Sequence, residues 1–263
     1  MGPGKTDLRK LNKKQVGLAL VSGIFLAFHF ATWISSLAYT TVASSVVLVD
    51  TSPLWVALLA PLLLKEKIGK MVLGGLVVTM VGGIFIGLSD VCQVTRGGIA
   101  CPSLPSIVDG KFFMGDGLAL LGALFASGYL LIGRELRPKM TLVSYTFMVY
   151  GIAALVLIFI AGFAHLQPFG YPPITYVWFL ALAIIPQLIG HSTFNWSLRY
   201  LSAAFVSITI LGESIGSTIL AYLILGEIPP VIKIAGAVLI LAGIVLASRV
   251  EQHPKIVQMS VGS

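Results

Sequence analysis

The sequence predicts an all-α integral membrane protein of eight transmembrane helices, and three observations carry that expectation. First, 57% of the 263 residues are hydrophobic and only 10% are charged, with a mean hydropathy of +0.98. A soluble domain carries about 25% charged residues and has too large an exterior to hide this much apolar surface. Second, the apolar residues fall in eight blocks, near 16–38, 44–63, 70–88, 116–133, 142–163, 176–198, 203–225 and 230–248. Each is long enough to cross the roughly 30 Å hydrocarbon layer as a helix. Third, none shows the alternation of a membrane barrel, and helices satisfy their own backbone groups in lipid.

In chain order, residues 1–15 form a basic N-terminus. The block that follows is too long for a signal-peptide core and lacks a small-residue cleavage site, so it is a retained span. "MGPGKT" fits the myristoylation letters, but eight spans make an acyl anchor redundant. It falls short of a phosphate-binding loop, lacking the first glycine and a preceding strand. Residues 16–88 then supply three helices, 89–115 an extracytoplasmic loop, 116–248 five helices, and 249–263 a cytoplasmic tail.

The charges orient this arrangement. With the N-terminus inside, Lys5, Arg9, Lys10, Lys13, Lys14, Lys65, Lys67, Lys70, Arg134, Arg137, Lys139, Arg199, Arg249 and Lys255 all lie in the cytoplasm, against Arg96, Lys111 and Lys233 outside. That positive-inside bias places both termini in the cytoplasm of a multi-pass protein of the plasma (inner) membrane. It also accounts for the net charge of +7 and pI of about 9.5 without a nucleic-acid partner. Both cysteines, Cys92 and Cys101, fall in the outer loop "SDVCQVTRGGIACPSLPSIVDGKFF", where they either close a disulfide or remain two free thiols. No histidine lies near them to complete a metal site, and no cofactor is expected.

An internal repeat appears when the chain is shifted by 161 residues, which lays 37–82 over 198–243 without a gap. Eleven of those 46 positions are identical, among them Tyr39/Tyr200, Glu66/Glu227, Gly75/Gly236 and Gly82/Gly243. The shift crosses five helices. Five is odd, so the two copies enter the membrane from opposite sides, an architecture of secondary transporters with the substrate site between the copies.

"AYTTVASSVVLVDTSPLW", "RYLSAAFVSITILGES" and "GHSTFNWSLRYL" resemble the EamA-type drug/metabolite transporters across roughly residues 16–249. The resemblance implies ten helices in two inverted five-helix repeats that move metabolites by alternating access. This chain departs from that pattern: its first repeat has three helices and its second five, so the two opening helices, which would line part of the central cavity, are absent. It is then a fragment or an eight-helix variant.

Only two acidic residues lie deep in the spans. Asp50, in "SSVVLVDTSPLWVALLAPLLL", is about 10 Å down block two, and Glu213, in "LGES", is about 15 Å up block seven. An ionised carboxylate there costs about 2.5–3.5 kcal/mol on insertion scales. Both are therefore expected to face the bundle interior and to hold a proton, a cation or a polar substrate group; a neutral, hydrogen-bonded structural carboxyl is the alternative. Glu213 also matches the glutamate that the family resemblance implies. "DTSP" is in addition a helix-start signature, with Asp50 or Ser52 as cap before Pro53, or else a simple proline kink.

Gln187, His191 and Asn195 recur every four residues on block six and share a face, with His29 and Trp33 a thinner echo on block one. The stripe lines a cavity or bonds helix to helix. Trp55, Trp178 and Trp196 are expected at interfaces or in packing. Gly74, Gly75, Gly82, Gly83 and Gly87, with Gly236 and Gly243, allow close helix approach within the chain or in a homodimer.

The expected function is export of small polar or amphipathic metabolites by a secondary transporter, with a small-molecule substrate and the lipid bilayer as partners. A truncated, non-transporting subunit is the alternative. An intramembrane enzyme would need clustered acid–base or metal groups; His165 and His253 lie in a loop and the tail, and no such cluster is present.

Overall fold

The computed structural model describes residues 11–40, 42–91, 93–95, 98–100, 110–167, 169–226 and 228–251. Block one is α1 (Lys13–Ser36) and block two is α2 (Val42–Val49) and α3 (Ser52–Leu63). Block three is α4 (Lys70–Val91), block four α5 (Gly110–Leu136) and block five α6 (Leu142–Phe163). Block six combines α7 (Pro173–Leu182), a π-helical segment (Ala183–His191) and α8 (Ser192–Ser197). Block seven combines α9 (Ala203–Ile210), α10 (Glu213–Leu220) and a second π segment (Ala221–Leu225), and block eight is α11 (Val231–Glu251).

Side chains set several of these starts. A capping box opens α1: Gln15 N–H donates to Asn12 Oδ1 at 2.8 Å, and Asn12 N–H to Gln15 Oε1 at 3.0 Å. Thr141 caps α6 and Ser202 caps α9, each accepting from the N–H three residues on. Six described helical stretches are long and apolar enough to cross a membrane, including Ser45–Leu63, which runs through the break in block two. Of the other two blocks, three is helical throughout as α4 and seven is divided into three pieces, so among the described residues six of the expected eight spans are found.

Both breaks have a local cause. At Asp50–Thr51 the chain makes a tight turn, with Thr51 N–H on Leu48 O, and Pro53 then starts α3. Thr51 occupies the cap position and its side chain bonds back to Leu48 O, so neither Asp50 nor Ser52 stands there as the expected cap. In block seven the break falls at Leu211–Gly212. Between blocks three and four β1 (Gln93–Thr95) pairs antiparallel with β2 (Gly98–Ala100), an element not expected from the sequence. Three-residue strands are too short to display a period. Cys92 and Cys101 lie outside the described residues.

The element boundaries repeat at the spacing of 161 residues. Helices α2 and α9 begin at 42 and 203 and end at 49 and 210; α3 and α10 begin at 52 and 213; α4 and α11 begin at 70 and 231. Helices α1 and α8 end at 36 and 197.

The packing of α4 on α11 is reciprocal in the same numbering. A Cβ on Gly75 would meet Gly243 O at 2.5 Å, and one on Gly243 would meet Gly75 O at 2.7 Å. Gly82 and Gly236 stand in the same relation, each 2.7 Å from the other's carbonyl. At the 161-residue spacing Gly75 thus touches the counterpart of Gly82, and Gly82 touches the counterpart of Gly75. These glycines bring two backbones together inside the chain. Elsewhere α1 packs along both α5 and α6, and α3 against α5 and α9.

Gly75→Leu is expected to destabilise the bundle by about 1–3 kcal/mol or more through overpacking. Gly151→Leu, with nothing within 4 Å of the added Cβ, should leave the melting temperature in detergent almost unchanged. Equal melting of the two variants would contradict the α4–α11 contact.

Candidate functional site

Four blocks bring polar and aromatic side chains together in the bundle interior: α1 carries His29, Phe30 and Trp33, α5 carries Tyr129, α6 carries Tyr150, and block six carries His191, Ser192, Phe194 and Asn195. The close approach of α1 to α5 depends on Gly122, where a Cβ would meet Trp33 Cβ at 3.2 Å. His29 is buried at that crossing, with Nδ1 3.0 Å from Gly122 O. Its ring stacks on Trp33, centroids 5.7 Å apart and planes 17° apart, and lies 5.0 Å from Phe30.

Phe30 meets His191 edge-on at 5.4 Å, and Tyr129 lies 5.9 Å from the same imidazole. Asn195, fully buried, donates from Nδ2 to Tyr129 Oη at 2.5 Å and to Tyr150 Oη at 3.1 Å. Tyr150 Oη lies 3.2 Å from Ser192 Oγ. The result is one continuous network from Trp33 through the two histidines to Asn195 and Tyr150.

The network is incompletely satisfied. Among the described residues the buried atoms Trp33 Nε1, His191 Nδ1 and Asn195 Oδ1 have no hydrogen-bond partner, nor do Gln187 Oε1 and Trp55 Nε1. An unpaired polar atom in a low-dielectric interior costs about 1–3 kcal/mol. Such atoms in a native interior call for a partner such as a water, an ion or a solute. The groups supply both kinds of contact: indole N–H donors and amide oxygen acceptors. Every side chain in the network is uncharged or an imidazole, so it suits polar recognition by hydrogen bonding and stacking. Neither histidine has a carboxylate to orient it, and among the described residues no cluster of three metal-binding side chains occurs.

The stripe expected on block six is realised unevenly. His191 and Asn195 are in the network, whereas Gln187 lies one turn away in the π segment, half-buried. Pro186 explains the wider turn. It has no N–H to give the Leu182 carbonyl, and its ring crowds that carbonyl, so the α-ladder yields to π spacing at Ala183. His29 and Trp33 join as the echo on α1.

The carboxylates are placed differently. Asp50 is half-buried at the α2/α3 break, and Glu213 is exposed as the first residue of α10. Among the described residues Glu213 makes no hydrogen bond or ion pair, and the network assembles without it. Ser52 is buried, its carbonyl accepting from Ser127 Oγ at 3.0 Å. Trp178 and Trp196 are exposed on the outside of block six, as interface residues are.

Tyr129, Tyr150, Phe30 and Ser192 were not singled out from the sequence. The available signal was two tyrosines inside apolar blocks, but tyrosine is also ordinary at membrane interfaces. Arg137, counted above only as an inside charge, is 1% exposed: Nε donates to Asn195 O at 2.8 Å, Nη1 to Met140 O at 2.6 Å, and the guanidinium lies 5.7 Å over the Tyr145 ring.

The family model for the EamA-like transporter family matches residues 4–88 and 113–249. The chain is 26% identical over 243 residues to the pseudopaline exporter CntI of Pseudomonas aeruginosa, covering 92% of this chain and 78% of that protein. It is 25% identical over 253 residues to the uncharacterized transporter YxxF of Bacillus subtilis, covering 94% and 74% respectively. A solved crystal structure superposes with a TM-score of 0.66 at 16% identity, over 92% of this chain and 90% of that one, a likeness of fold. The network is therefore the interior of a membrane transporter, not of an enzyme, and the chain belongs to the EamA-like transporter family.

Proposed function

We propose that the chain is a secondary transporter that exports small polar metabolites by alternating access, and that the network around His191 and Asn195 binds the solute. The observation that carries this reading is the set of unpaired polar atoms on facing helices of an apolar bundle. Buried polar groups in hydrocarbon are retained where they serve a path or a ligand. The exporter among the relatives supports the outward direction.

Two inverted repeats, eight spans and cytoplasmic termini in the plasma membrane complete the reading. Support for the repeats comes from the matched element boundaries and the reciprocal glycine contacts of α4 and α11. Support for the orientation comes from the basic residues at one end of the blocks. Asp50 and Glu213 sit beside the two helix breaks, at neighbouring repeat positions. Broken helices at mid-membrane are where transporters of this type present groups to ions and substrate. In this reading Glu213 carries the coupling proton.

Purified protein in proteoliposomes should move uncharged or zwitterionic polar solutes down an imposed gradient. Asn195→Leu and His191→Phe should each lower the flux about tenfold, the loss of one or two buried hydrogen bonds. Unchanged flux in both would remove the network from the path.

Glu213→Gln should abolish the response of flux to an imposed pH gradient while leaving solute binding within a factor of about two. Retention of the full pH response would exclude Glu213 as the proton carrier.

A further inference from the structure

The last turn of block six is held by two arginines at the end of α5 and just past it. Helix α7 and the π segment bury no residue, whereas the end of the block buries Asn195 and Leu198. At that end Arg137, in the turn just after α5, donates to Asn195 O at 2.8 Å and Arg134 of α5 donates to Leu198 O at 3.0 Å. The carbonyls are available because the helix tightens as it stops, with Leu198 N–H on Phe194 O and Arg199 N–H on Trp196 O. Terminal carbonyls without intrahelical donors carry partial negative charge, and a guanidinium satisfies both needs.

Arg134 also reaches the first repeat. Its Nε donates to Glu66 Oε1 at 2.6 Å, joining α5 to the turn that follows α3. One side chain therefore ties together the ends of blocks two, four and six, all on the side that the basic residues assign to the cytoplasm. The two arginines differ in how readily they release. Arg137 is 1% exposed and fixed by two backbone carbonyls. The Arg134–Glu66 pair is about a quarter exposed, 25% and 23%, so water reaches it as it does not reach Arg137. Block two is moreover broken at Asp50–Thr51, so α3 and Glu66 have a joint about which to swing apart from α2.

Asn195 links this end to the solute network. Its side-chain amide bonds the two tyrosines while its carbonyl accepts from Arg137. We propose that Glu66 and Arg134 form the latch of a cytoplasmic gate, that Arg137 is its fixed pivot, and that Asn195 transmits solute occupancy to it. The inference rests on the transporter reading above. Glu66, Arg134 and Arg137 act as positioning residues: they control which side of the membrane reaches the network and do not touch the solute.

The test is side-specific labelling of the full chain, with Cys92 and Cys101 replaced by serine and Ser192→Cys as the reporter. A membrane-impermeant maleimide is applied to inside-out and to right-side-out vesicles. Glu66→Gln and Arg134→Gln should each raise labelling from the cytoplasmic face about tenfold, the loss of one charge-assisted hydrogen bond. The exchanged pair Glu66→Arg with Arg134→Glu should return the rate toward the wild-type value, which a collapsed fold would not do. Unchanged cytoplasmic labelling in both single variants, or equal rises from both faces, would overturn the latch. Labelling needs no transport, so the two readings fail separately: a working latch without solute flux would sink the transporter reading alone, and flux with unaltered labelling would sink the latch alone.

Discussion

A polar atom without a partner is costly in hydrocarbon, and that constraint shapes this chain from its helices to its interior network. It turns the blocks into helices and leaves their outer faces to leucine, valine, isoleucine and phenylalanine. Serines and threonines inside the spans comply by bonding their own helix: Thr32 to Phe28 O, Ser127 to Ala123 O, Thr193 to Ile189 O, and Thr79 to Gly75 O. Against that thrift, the unpaired atoms of Trp33, His191 and Asn195 stand out, because they occur on facing helices of one network.

The same constraint explains where the helices break. A break frees carbonyls and N–H groups, so it is tolerated where a cavity or a neighbouring side chain receives them. Here the breaks at Asp50–Thr51 and Leu211–Gly212 fall 161 residues apart and each adjoins a carboxylate. The residues that make them differ. Block two uses a threonine turn and Pro53, block seven Gly212, so the position of the break is shared and its chemistry is not.

Much of this was legible in the sequence, because the signals involved are local or periodic. Apolar block length placed the helices, the 161-residue shift matched several element starts and ends, and "DTSP" marked a break one residue from where the turn falls. The four-residue spacing put His191 and Asn195 on one face. What escaped depends on distant partners: Asn195 bonds Tyr129 and Tyr150 across 66 and 45 residues, and nothing near either tyrosine announces an amide. Arg137 is a harder case. By composition it is one more cytoplasmic charge, and only the fold reveals that its guanidinium is buried against backbone carbonyls. The π segment was equally hidden, since Pro186 shows that the ladder is disturbed but not how it is repaired.

The unequal surroundings of the repeat-equivalent helices bear on how open the network is. Helix α1 is flanked along its length by α5 and α6. Block six, its equivalent, ends in register with it, yet α7 and the π segment bury nothing. Helix α3 likewise packs on α5, whereas Glu213 at the start of the equivalent α10 is exposed. The network lies among α1, α5 and α6, and the unburied α7 and π segment lead into it along block six. Its firmest boundary is the end where Arg137 holds Asn195 O and Arg134 holds Leu198 O, the end at which the proposed latch would open.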